Sequence, residues 1–189
     1  KKIKTDETKP TDNLHLFGHS MGGLITLQTL MKKNIPDIRS ATLSNPALGI
    51  AMEVPKIKEM ASQWLNQIWP TLTMNNDVHY PNLSRDADIV ATYSKDPLRH
   101  TKISAPLYLG MSNAMERVKR SPDKIKIPLF FQVSGQDKLI APQVSLDYFK
   151  TLSCPKRVKL YEESYHEVYN DLNRQEAIDD LVDFLGEYS

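Results

Sequence analysis

Leu14-His15-Leu16-Phe17 is the first apolar run, after the polar, lysine-rich stretch from Lys1 to Asn13 with its Pro10. Its brevity and apolarity predict a buried parallel strand. Beyond Ser20 the period changes, and Leu24, Leu27, Leu30 and Met31 share one face of a predicted helix, which Lys32-Lys33-Asn34 brings to a cationic stop. The run IRSATLSNPAL predicts a second strand over residues 40–44, closed by Asn45-Pro46. Strand, tight turn, helix and strand in that order make a parallel βαβ unit.

From Ala47 to about Arg120 the pattern is helical. Ile57, Met60, Ala61, Trp64, Leu65, Ile68 and Leu72 recur at helical spacing, with Pro55 suited to the first turn and Pro70 to the end. A second helix is expected to start near Ser84. A third follows Ser104-Ala105-Pro106, with Tyr108, Met111, Met115 and Val118 on one face and Lys119-Arg120 at its end. Helices without intervening strands, between two α/β blocks, predict an inserted cap. The α/β pattern resumes at IPLFFQVSGQD, where Leu129 to Val133 is nearly continuous apolar sequence, as in a strand buried on both faces. Val158 and Leu160 alternate in a further strand. Ala177, Ile178, Leu181, Phe184 and Leu185 then form the stripe of a closing helix, with Asn173 and Glu176 spaced as a capping box. The expected divisions are an α/β core over 1–46, a helical lid over 47–122 and returning α/β core over 123–189.

Composition narrows the class without choosing a function. The 189 residues are 40% hydrophobic and 25% charged, ordinary for a chain that buries a core. A net charge of +1, from 24 basic and 23 acidic residues, argues against nucleic acid as a partner. One cysteine, Cys154, excludes an internal disulfide framework and reads as structural beside Pro155. No apolar run approaches the roughly 20 residues of a membrane span.

Chemistry enters at Gly18-His19-Ser20-Met21-Gly22, a G-x-S-x-G placed between the first strand and the first helix. A serine hydroxyl attacks a carbonyl only when a base takes its proton. A strand-to-helix turn projects that hydroxyl out of the sheet, and its sharpness demands small neighbours, which Gly18, Gly22 and Gly23 supply. The helix N-terminus, beginning with the Met21 N–H, faces a developing oxyanion. On this strand-turn-helix plan the acid and then the histidine follow in chain order. Asp137 lies just past the end of the buried strand, where open α/β sheets gather their sites; its alternative role is to cap the helix near Pro142. Of five histidines, only His166 follows Asp137, in a loop before the last helix. A lone loop histidine would be a solvated side chain; joined to the other two motifs it is the candidate base. His19 neighbours Ser20 and is expected to point into packing, and His100 is a residue that could approach the pocket.

LFGHSMGG, YSKDPLRH, IPLFFQVSGQDKLIAPQ and YEESYHEVYND together resemble the monoacylglycerol lipase and lysophospholipase-like serine hydrolases of the α/β-hydrolase fold. The resemblance covers most of the chain. It implies a mostly parallel sheet flanked by helices with an inserted helical cap. It implies Ser20 as nucleophile, Asp137 as orienter and His166 as general base and acid, with no metal and no cofactor. It implies a lid over an acyl-chain channel, with His19, Met52, Trp64, Trp69 and Met111 as substrate or lid candidates and Met60 and Met115 in its apolar surface, although core packing suits Met115 better. The implied substrate is an acyl glycerol or related lipid ester, met by transient contact with a membrane or micelle surface.

Such enzymes also carry strands before the elbow and an H-G-type loop that gives a second oxyanion donor. Neither is present in the 19 residues before Ser20. The resemblance therefore predicts a partner N-terminal segment of the same enzyme, because losing one such donor typically costs about 10²–10³ in rate. Lysophospholipid hydrolysis and acyl transfer use the same triad and remain open, as does a non-catalytic binding protein built on this fold.

Overall fold

The computed structural model describes residues 14–32, 35, 37–51, 62, 64 and 66–189. Four strands, β1 (Leu14–His19), β2 (Ile38–Ser44), β5 (Leu129–Ser134) and β6 (Lys156–Tyr161), form one parallel sheet in the order β1-β2-β5-β6. Helix α1 (Met21–Lys32) links β1 to β2, which is the expected βαβ unit. Leu24 and Leu27 are buried while Leu30 and Met31 pack on the same core, so the face read from the period is the one that covers the sheet.

β5 is buried at all six positions, and its alternation sorts the two layers. Leu129, Phe131 and Val133 join Leu24, Leu27 and Leu43 in the main core, with the Phe131 ring against Tyr148 and Phe149 of α4 (Pro142–Thr151). Phe130 turns the other way and packs on Phe184 of α5 (Arg174–Glu187) at 5.2 Å between ring centroids. A sheet covered on both faces explains why this strand reads as continuous apolar sequence.

Residues 72–104 depart from the all-helical expectation. β3 (Thr73–Asn75) and β4 (Lys102–Ser104) pair antiparallel, Met74 opposite Ile103, in a separate two-stranded ribbon. Three-residue strands are too short to show a period, and the pairing joins segments far apart in sequence. Between them α2 (Ala87–Tyr93) starts three residues later than Ser84. Asp86 caps it, accepting from the Asp88 and Ile89 N–H groups, while Ser84 Oγ donates instead to the Asn170 carbonyl. α3 (Ala105–Arg120) starts where expected, with Ser104 Oγ accepting from the Leu107 N–H and Met115 and Val118 buried. Of the tryptophan-bearing segment, residues 62, 64 and 66–68 are helical and the chain leaves the helix before Pro70. Ile57, Met60, Ala61 and Leu65 lie outside the described residues.

The capping box at α5 does not form. Asn173 stands at the N-cap but its side-chain oxygen accepts from Arg85 Nη2 and Ser164 Oγ, at 2.9 and 2.7 Å. A nearby guanidinium outcompetes the helix's own N–H groups for that oxygen.

Candidate active site

Parallel strands deliver their C-terminal ends to one edge of the sheet, so the turns after β1, β2, β5 and β6 lie side by side. Ser20, Asn45, Asp137 and His166 are carried on or just beyond those four turns.

Ser20 takes a left-handed backbone (φ 53°), which an L-residue with a side chain rarely adopts. The strain is held by the surroundings. Its N–H donates to the Ser44 carbonyl at 2.9 Å, and its own carbonyl accepts from the N–H groups of Gly23, Leu24 and Ala47. The need for small neighbours holds at Gly18 and Gly23 but not at Gly22. A Cβ on Gly18 would sit 2.6 Å from Thr26 Oγ1 and 2.7 Å from the Gly22 carbonyl oxygen, and one on Gly23 would sit 2.8 Å from Pro46 Cβ. A Cβ on Gly22 meets nothing within 4 Å. Gly22 points outward from the first turn of α1, so the crowding comes from its backbone and not from its side-chain position.

Asp137 lies past β5 because the chain turns sharply at Gly135, where a Cβ would run into the Glu162 carbonyl. Its Oδ1 accepts from the Leu139 and Ile140 N–H groups at 2.8 and 3.0 Å, and its Oδ2 faces His166 Nδ1 at 2.7 Å. The two side chains are 1% and 5% exposed. Asp137 does not cap α4, whose N-cap is Ala141. A carboxylate that accepts from the Nδ1–H leaves Nε2 of a neutral imidazole as the free lone pair, the tautomer a general base needs. The Gln136 N–H donates to the Ser164 carbonyl at 3.1 Å and ties the acid loop to the histidine loop.

His19 packs against His166, their ring centroids 4.8 Å apart, and its Nδ1 lies 3.1 Å from Ser44 Oγ. Burial and the neighbouring His166 push its pKa down to about 4, so it stays neutral. His19 thus packs on His166 and does not line the cavity described below.

Asn45 is a residue that the sequence reading passed over as a strand stop. It too is left-handed (φ 43°) and buried. Its side-chain oxygen accepts from the Ser134 N–H at 2.7 Å, while its Nδ2 donates to Ser134 Oγ and to the His166 carbonyl at 2.8 and 2.6 Å. One amide therefore stitches the end of β2 to the acid strand and to the histidine. A polar residue directly after a buried strand end was the available signal.

A cavity of about 340 Å³ opens beside Ser20 and Met21. Ile50, Val78, Leu107, Met111, Leu139 and Ile140 give it apolar walls, and Asn75, Asp77, His100 and Lys102 a polar margin. Of the lid candidates among the described residues, only Met111 is in the wall. Trp64 and Trp69 are 70% and 58% exposed and face solvent. Met52 lies outside the described residues. Ile50, Leu139 and Ile140 were not anticipated; they flank the turns after Asn45 and Asp137, and the Ile50–Ile140 bridge brings them together.

The fold has close counterparts. A monoacylglycerol lipase structure from Paleococcus ferrophilus is 29% identical and superposes with a TM-score of 0.88 over 94% of this chain and 70% of that one. Phospholipase YtpA of Bacillus subtilis is 29% identical over 92% of this chain and 68% of its own length. Rat monoglyceride lipase is 26% identical over 86% of this chain and 54% of its own. The chain thus spans between half and about two thirds of these relatives. Residues 1–173 match the Hydrolase_4 family, described as serine aminopeptidase S33. The chain belongs to that family and has the α/β-hydrolase fold.

Proposed function

We propose that this chain carries the catalytic centre of a serine hydrolase that cleaves carboxylic esters of acyl glycerols through an acyl-enzyme. The observation that carries the reading is the buried 2.7 Å contact of Asp137 with His166 Nδ1, on the sheet edge where Ser20 stands at the mouth of an apolar cavity. Ser20 Oγ attacks the ester carbonyl as His166 Nε2 takes its proton. The Met21 N–H, first in α1, stabilises the oxyanion. His166 then returns the proton to the leaving alcohol and activates water for deacylation, while Asp137 holds the tautomer.

The acyl chain runs along Ile50, Leu107, Met111 and Ile140, and residues 47–122 act as the lid over it. The exposed Trp64, Ile68 and Trp69 suit transient contact with a micelle or membrane surface. Among the described residues no helix is long and apolar enough to cross a membrane. The lipase relatives support the ester class. The phospholipase relative, with Lys102 and His100 on the cavity margin, supports a second reading in which a lysophospholipid is the substrate.

A screen of monoacylglycerols, lysophospholipids, short-chain esters and aminoacyl amides, run beside Ser20→Ala, tests the reading. Turnover is expected for a glycerol monoester and absent in the variant. Amide cleavage without ester cleavage would overturn the ester class, and equal rates with Ser20→Ala would overturn the mechanism.

A further inference from the structure

YSKDPLRH, residues 93–100, has no role in the mechanism above, although its chain crosses the insert beside the histidine loop. Both of its ends touch that loop. Arg99 sends Nη1 and Nη2 to Glu167 Oε1 at 3.1 Å and Nη2 to Oε2 at 3.2 Å. Tyr93 OH donates to Glu167 Oε2 at 2.7 Å, and Asn170 Nδ2 donates to the same oxygen at 2.7 Å. The Arg99 guanidinium lies 3.7 Å from the centre of the Tyr93 ring, so the two donors brace each other. Burial alone would raise the Glu167 pKa, but the bonds from Arg99, Tyr93 and Asn170 outweigh it and hold the carboxyl below its ordinary range.

Glu167 is the residue after His166, and the peptide that joins them is gripped at both ends. Its carbonyl accepts from Asn45, as above, and its N–H donates to the Leu83 carbonyl, also in the insert, at 2.8 Å. On the other side, Asp171 Oδ2 accepts from the Tyr165 N–H at 2.6 Å and its Oδ1 from Arg85 Nε at 2.9 Å. A histidine in a loop would ordinarily sample several backbone states. Here residues on both sides are fixed, and Leu83, Arg85, Tyr93 and Arg99 of the insert supply much of the fixing.

We infer that Arg99 and Tyr93 are positioning residues for His166: acting through Glu167, they lock the catalytic histidine to the insert, so that the general base is in register only while this part of the insert is docked. The inference rests on Ser20 and His166 working as proposed. Displacing a catalytic group by about 1 Å can cost about 10² in rate.

The test is the rate at which a fluorophosphonate reacts with Ser20 in the full-length protein, which needs the general base but no particular lipid. It is read with kcat and KM on a short-chain ester and with a thermal unfolding curve. Arg99→Met is expected to slow phosphonylation and kcat ten- to hundredfold with KM changed less than about threefold. Arg99→Lys, a point charge without the fork, is expected to recover part of the loss. Tyr93→Phe removes one hydroxyl, keeps the ring, and is expected to cost severalfold should Arg99→Met fail to fold. Arg99→Met and Glu167→Gln combined are expected to cost less than the product of their separate effects. Wild-type rates in folded Arg99→Met or Tyr93→Phe, or additive losses, would overturn the inference while leaving the catalytic reading intact. No labelling of Ser20 in the unmodified protein would overturn both.

Discussion

The proposed catalytic edge of the sheet and the outer face of the insert treat their side chains in opposite ways. At the edge, Asp137, His166 and Asn45 are buried and hydrogen-bonded across their loops. On the outer face, Trp64, Ile68, Trp69 and Leu98 are 58–88% exposed, although apolar side chains gain by leaving water. Positions that must hold a geometry are over-determined, whereas positions that could meet an apolar surface are left uncovered. The inner rim of the insert, from Leu83 to Arg99, behaves like the edge, since its bonds go to the histidine loop.

This contrast can be broken from the catalytic side first. Asp137→Asn keeps the shape of the acid loop but invites the wrong imidazole tautomer, and turnover is expected to fall about 10⁴-fold. A loss under tenfold, measured as kcat on a short-chain ester, would show that the buried contact does not organise His166.

Next come the glycines of the elbow. Gly18→Ala and Gly23→Ala force a Cβ into Thr26 and the Gly22 carbonyl, or into Pro46, and each is expected to destabilise the fold by about 1–3 kcal/mol. Gly22→Ala, with open space around it in a helix, is expected to be neutral or to stabilise by about 0.5–1 kcal/mol. Denaturant unfolding of the three variants decides this. Equal losses at all three positions would mean that the elbow is crowded throughout.

A smaller effect concerns pH. The folded pKa of His19 is lowered to about 4 from an ordinary 6.5, through burial first and then His166. The unfolded chain therefore takes up this proton first as pH falls. The His19 contribution to stability is complete above about pH 6.5 and is lost between there and pH 4. Urea titrations across that window are expected to show a shallower loss for His19→Asn than for the natural sequence. Parallel curves would remove His19 from the buried edge.

The outer face should respond least in the fold and most at an interface. Trp64→Ala with Trp69→Ala is expected to change stability by less than about 0.5 kcal/mol. The same pair is expected to lower turnover of a micellar ester while leaving a water-soluble one unchanged. An unfolding midpoint that drops sharply would mean that these tryptophans are packed.

Much of the frame could be read from the chain because local and global signals agree there. The switch from a strand period to a helix period at Ser20 placed the elbow, and the apolar run at Leu129 placed the acid strand. Chain order then picked out His166 beside Asp137. The ribbon of β3 and β4, the role of Asn45 and the Arg99–Glu167 pair left no such trace. Each depends on groups distant in sequence, and a three-residue strand or a single amide carries no period. The Asn173 box failed for the same reason, because Arg85, 88 residues away, captured its oxygen.

The central claim is that Ser20 is the activated nucleophile and His166 its base. Treating the full-length protein with a fluorophosphonate and mapping the adduct by peptide mass spectrometry tests it most directly. The account predicts a single adduct on Ser20, formed at least about 10³-fold more slowly in His166→Ala. An adduct on another serine, or undiminished labelling of Ser20 without His166, would contradict it.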